Sequence, residues 1–172
     1  MVLPLRLARQ AVERYVQAGE VLASPNELPS EMAAPGAAFV TLRIGRQLRG
    51  CIGSLAPTRA TLAEEIISNA IAAAISDPRF APVKPVELTA LNYEVDILSP
   101  LEPVGDEAWL DPERYGVVVE ARGRKGVLLP ALEGVTTVAQ QVTIAREKAG
   151  IAPGEPIRIA RFTVTRFRED TE

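Results

Sequence analysis

The chain carries one cysteine, Cys51, in the hexapeptide Leu48-Arg49-Gly50-Cys51-Ile52-Gly53, and it carries no histidine. A thiol can act as a nucleophile or as a soft contact to a ligand, and the thiolate is the reactive form. Strand alternation would put Arg49, Cys51 and Gly53 on one face and Leu48, Gly50 and Ile52 on the other. A cation two residues away on the same face would favour the thiolate. The usual base for such a thiol is an imidazole, so Cys-His and Ser-His-Asp chemistry are excluded within one protomer. The other reading of Cys51 is a small buried hydrophobe, as most free cysteines are, and local chemistry favours that one.

Further candidates follow by type. Gly50 and Gly53 lie inside a strand pattern, where glycine marks a bulge or the close approach of a backbone or ligand. An anion could lie against exposed amides there. In Asp77-Pro78-Arg79-Phe80, Arg79 offers a planar fork for carboxylate or phosphate, although a turn with local caps explains the segment alone. Glu94 and Asp96 share a strand face. They could do acid/base work or hold a metal, but a solvated face or pairing with arginines on neighbouring strands is the commoner arrangement. Arg122-Gly123-Arg124-Lys125-Gly126 reads as a hairpin tip. The GxGxxG, GxxxxGK[ST] and GxSxG fingerprints do not occur, so no cofactor is expected.

Composition narrows the field further. The 172 residues are 47% apolar with a net charge of −3. One domain is the default at that length, with two lobes possible. A core large enough to need no staples is available. The lone cysteine rules out an internal disulfide and a cysteine zinc cluster, and no metal site is expected. The acidic balance argues against nucleic acid. Nothing resembles a signal peptide or a membrane span, so a cytoplasmic location is the expectation.

The elements that must position these residues are legible in outline. Apolar spacing predicts a helix over 5–23, then a loop through Pro35-Gly36. Strands over 37–44 and 48–55 form a hairpin. Thr61 and Glu64 form a capping box opening a helix to about Ser76, whose run Ala70–Ile75 suggests burial against a sheet. A single helical turn over 85–90 precedes a strand over 91–99, and 100–112 reads as loop. A second hairpin uses 116–121 and 126–130, followed by a helix over 137–149 stopped by Gly150. The last strand, 157–168, changes apolar parity, which predicts a bulge or a change of packing partner near Ala160. Hairpins without βαβ alternation favour an α+β fold: a largely antiparallel sheet with flanking helices, which can divide into a larger and a smaller lobe around a cleft.

Leu48–Gly53 with Ser54-Leu55, Asp77–Phe80, Tyr93–Leu98, Gly126–Pro130 and Lys148–Ile151 together resemble the AMMECR-one domain family. Its prokaryotic members are labelled AmmeMemoRadiSam system protein A. The resemblance spans nearly all of 1–172 as a single domain. It implies that the hexapeptide and the Asp77 segment lie near one another in a cleft, and it supplies no activity. It also implies a pathway shared with Memo-like and radical-SAM proteins. Many members carry a histidine near the position of Tyr115, and this chain has none. Two functions are open. In one, Arg49 and Arg79 hold a small anionic ligand, Cys51 contacts the reacting or bound carbon, and Asp77 orients an arginine or acts as base. In the other, the hexapeptide is a contact surface of an accessory module for those partners.

Overall fold

The first apolar stripe folds as α1, Leu3–Ala18, with Pro4 in its first turn. The spacing continues through Val21, but Gly19 takes a left-handed conformation (φ 71°) and donates its amide to the Tyr15 carbonyl at 2.8 Å. That closes the last turn and ends the helix five residues early. The computed structural model describes residues 1–169. A four-residue helix, α2 (Ser30–Ala33), interrupts what the sequence presents as continuous loop.

The chain divides into two compact units: Met1–Leu98 with the segment from Thr165, and Ser99–Val164. The first contains a four-stranded sheet of β1 (Ala37–Ile44), β2 (Gln47–Gly53), β3 (Leu91–Leu98) and β8 (Val164–Arg168), in the order β2-β1-β3-β8. Both β2 and β3 run antiparallel to β1. One face of this sheet is apolar, with Val40, Leu42, Tyr93 and Val95 all essentially inaccessible. α1 and α3 (Leu62–Ile75) cover it. α3 begins as its sequence requires: the Thr61 hydroxyl accepts the Glu64 amide and the Glu64 carboxylate accepts the Thr61 amide.

The second unit holds β4 (Glu102–Val104), β5 (Gly116–Ala121), β6 (Arg124–Leu128) and β7 (Arg158–Phe162), ordered β4-β7-β5-β6 and antiparallel throughout. α4 (Val138–Ala149) packs on one face, capped by Thr137 and stopped at Gly150. The tip of the β5–β6 hairpin is two residues, Arg122 and Gly123, both at positive φ. β4 falls where the sequence reads as loop, because three residues with a proline show no alternation. The predicted change of partner in the last strand occurs at Thr163, where β7 ends in one sheet and β8 begins in the other.

Glycines do parallel work in the two units. A Cβ on Gly50 would stand 2.1 Å from the Ala73 carbonyl oxygen of α3, and one on Gly126 would stand 1.8 Å from the Ala145 carbonyl oxygen of α4. Each sheet omits one side chain so that a helix backbone can rest on it.

Candidate functional site

The hexapeptide is β2, the edge of its sheet. A tight turn at Gly45-Arg46 pairs Ile44 with Gln47 and Arg43 with Leu48, whereas further along Leu42 pairs with Gly50 and Thr41 with Cys51. Arg49 is therefore the extra residue of a β-bulge, which frees its side chain from strict alternation. Cys51 lies on the face opposite the helices, in a row with Thr41 and Glu94; Gly53, Phe39 and Asp96 form the next row.

The two glycines of the motif are explained by the chain itself. The space above Gly50 is filled by α3 backbone, and Gly50 is buried. A Cβ on Gly53 would stand 2.2 Å from the Phe39 ring. The close approach that the sequence leads one to expect is thus helix and ring, which leaves neither glycine a cradle for a ligand above its Cα.

Cys51, Asp77 and Arg79 do come together. α3 ends at Ile75, and the turn beyond it directs Asp77 back to β2. The Asp77 carboxylate accepts the Cys51 amide at 2.9 Å. It also accepts the backbone amide of Arg79 at 3.0 Å and two guanidinium hydrogen bonds, from Nε at 2.9 Å and Nη2 at 2.7 Å. The pair is asymmetric: the Asp77 side chain is 3% exposed and that of Arg79 is 55% exposed. The Arg79 fork holds the Asp77 carboxyl far below the usual carboxylate range, with the Cys51 amide adding to the effect.

Arg49 is held separately. It makes a bidentate pair with Glu87, Nε to Oε1 at 2.7 Å and Nη2 to Oε2 at 3.0 Å. Its Nη1 is buried with no hydrogen-bond partner among the described residues. This pair pulls the Glu87 carboxyl down to about 2. The Phe80 ring lies within cation–π range of both arginines, 6.0 Å from the Arg49 Cζ and 5.5 Å from the Arg79 Cζ.

Burial pushes the Cys51 thiol up from its ordinary value, against smaller opposing effects of the Thr41 hydroxyl, 3.2 Å from the sulfur, and of Arg79. Cys51 is accordingly a protonated thiol at neutral pH. Asp77 binds a proton too weakly to serve as a base there. The thiol therefore lacks the thiolate form that a nucleophile uses, and the Asp77 carboxylate, although ionised, is too weakly basic to draw a proton from it.

Glu94 and Asp96 pair across to the last strand, as sheet carboxylates often do. Arg166 Nε meets Asp96 Oδ1 at 2.7 Å, and Arg168 Nε meets Glu94 Oε2 at 2.5 Å. Both carboxylates are buried, which a solvated face would not be. Among the described residues, no group of three or more His, Cys, Asp or Glu is placed to hold a metal ion.

Three further residues of this region carry weight that their local sequence does not announce. Thr41 was recoverable from the hairpin register. Glu87 stands three residues after Lys84, where its carboxylate also accepts the Lys84 amide at 2.8 Å, a position with a helix-start signature. Glu65 is wholly inaccessible and accepts from Ser54, from Thr58 and from the Arg59 amide. It fastens the loop that follows the motif to α3, and nothing in the alternation around it marks it as buried.

A family model described as AMMECR1 matches residues 5–170. A protein of Thermotoga maritima is 48% identical over 95% of this chain and 96% of its own length. A protein of Clostridium acetobutylicum is 43% identical over 96% of this chain, which spans 36% of that longer protein. The crystal structure of an uncharacterized protein from Pyrococcus horikoshii superimposes with a TM-score of 0.90 at 33% identity, covering 97% of this chain and 90% of that one.

Proposed function

The chain belongs to the AMMECR1 family, and we propose that it is a binding module that takes a small anionic ligand on the surface formed by Arg79 and Phe80 beside Cys51, without covalent chemistry. The supporting observation is the asymmetric Asp77–Arg79 pair. A buried carboxylate fixes one edge of the guanidinium, and the Nη1 edge has no partner among the described residues. A pre-oriented fork at a surface suits planar recognition of a carboxylate or phosphate, since little side-chain entropy remains to be lost on binding. Arg49 contributes indirectly: with both Glu87 oxygens engaged, it positions the Phe80 ring rather than meeting the ligand. The family match crosses both units, so we treat 1–172 as one functional domain. Titration with inorganic phosphate and acetate, followed by the amide resonances of Cys51 and Arg79, tests the reading. Saturable shifts that vanish in Arg79→Gln are the expected result.

A second reading gives the same surface to a protein partner, the Memo-like or radical-SAM protein that the sequence resemblance implies. It is favoured by the internal pairing of all four charges around the motif, Arg49 with Glu87 and Arg79 with Asp77, which leaves Arg79 as the one largely exposed member, beside an aromatic ring. Co-purification with and without Arg79→Gln separates the two readings.

A further inference from the structure

None of the motif residues lines the cavity of about 750 Å³ in the first unit. That volume falls within the range of roughly 300–1,000 Å³ found for small-molecule sites. Its floor is apolar: Ile67 and Ile71 of α3, both buried, with the half-buried Leu22 of the segment that follows α1. Its rim is polar and carries one cation, Arg59, and one anion, Glu64.

Arg59 is fixed but uncommitted. Its backbone amide is held by the buried Glu65 carboxylate at 2.9 Å, and its Nη2 donates to the Ser68 hydroxyl at 3.0 Å. It makes no ion pair among the described residues, whereas Arg49, Arg79, Arg161 and Arg166 each meet a carboxylate. The fork's remaining donors are therefore free for an anion. Glu64 on the same wall sets a limit on that anion. One of its oxygens accepts the Thr61 amide, and its negative charge disfavours a doubly charged head group.

We infer that this cavity is a second binding site, for a small amphipathic acid: an apolar body on Leu22, Ile67 and Ile71 and a singly charged carboxylate or sulfonate on Arg59. The site is independent of the Arg79 surface. The loop that carries Thr58 and Arg59 leaves the motif strand directly and is fastened by Glu65, so the head-group subsite is preorganised.

The test uses two probes on the full chain. 1-Anilinonaphthalene-8-sulfonate is followed by fluorescence, and decanoate and decanol compete for it. Expected are saturable dye binding to the native protein and displacement by decanoate about tenfold better than by decanol, the difference being one charge-assisted hydrogen bond. Arg59→Glu weakens both acids about tenfold, because the guanidinium no longer donates to the head group and a like charge stands in its place. Ala23→Trp, at an exposed position on the cavity wall, blocks all three ligands. Arg79→Gln changes none of them, which keeps this result separate from the first site. Absence of saturable binding overturns the inference. So does equal competition by decanoate and decanol, or affinity unchanged in both Arg59→Glu and Ala23→Trp with the native circular dichroism spectrum retained.

Discussion

The carboxylate of Asp77 accepts the backbone amide of Cys51, closing a contact between residues 26 apart in sequence. An edge strand presents outward amides that a sheet cannot satisfy. Here one of them is satisfied by a side chain from beyond the end of α3. The same carboxylate orients Arg79, so strand edge, helix end and surface cation are one connected unit.

Asp77→Ala removes that connection. It leaves the Cys51 amide without its partner and releases Arg79. Loss of charge-assisted hydrogen bonds from a buried acceptor costs roughly 2–4 kcal/mol, and urea unfolding measures it. Arg79→Gln at the exposed end is expected to cost less than Asp77→Ala, because the buried acceptor keeps the Cys51 amide. Equal losses would contradict the asymmetry of the pair.

Cys51 alkylation reports its protonation state. Burial raises the thiol above its ordinary value, so iodoacetamide reacts slowly at neutral pH and the rate rises only in clearly alkaline solution. Asp77→Asn removes a negative charge that contributes to that shift, and the midpoint moves down. A fast reaction at pH 7 in the native protein would show an activated thiol instead.

Acid titration tests the two carboxylate–arginine pairs. Glu87 is depressed to about 2 from an ordinary value of 4.5, and Asp77 is depressed further. A folded-state value below the unfolded one adds stability that is present above the unfolded value and is lost as pH falls through the folded one. Unfolding free energy therefore declines from about pH 4.5 towards pH 2, the window set by the ordinary carboxylate values. Glu87→Gln lowers stability at neutral pH and flattens that decline. An unchanged slope in the variant would remove Glu87 from the explanation.

Gly50→Ala places a methyl against the Ala73 carbonyl, a backbone atom that cannot rotate away. Overpacking of this kind costs about 1–3 kcal/mol and sometimes more, and Gly50→Ala falls at or above the top of that range. Gly53→Ala meets the ring of Phe39 instead, a side chain that can adjust, so it costs less. Thermal melts of the two variants rank them.

The parts of this arrangement that local chemistry dictates were legible in the sequence. Thr61 with Glu64, Gly150 after α4, and the β-rich apolar runs of β1 and β5 each express a rule that needs only near neighbours, and each element formed as read. Proximity of the hexapeptide to Asp77 was implied by family resemblance. The role of Gly50 was half legible: close approach was expected there, but whether a ligand or a helix approaches depends on where α3 lies. The partners of Arg49 and of Asp96 are 38 and 70 residues away, and no local pattern selects Glu87 or Arg166 from the other charged residues. The cavity at Arg59 was invisible for the same reason, since its walls come from three separate stretches of chain.

The most direct test of binding without covalent chemistry at Arg79 follows the backbone amides of Cys51 and Arg79 by NMR during titration with inorganic phosphate, with intact mass recorded at the end point. The predicted result is saturable movement of both resonances, loss of that movement in Arg79→Gln, and no mass added at Cys51. Resonances that stay fixed, or that shift equally in Arg79→Gln, or a covalent adduct on the thiol, would contradict it.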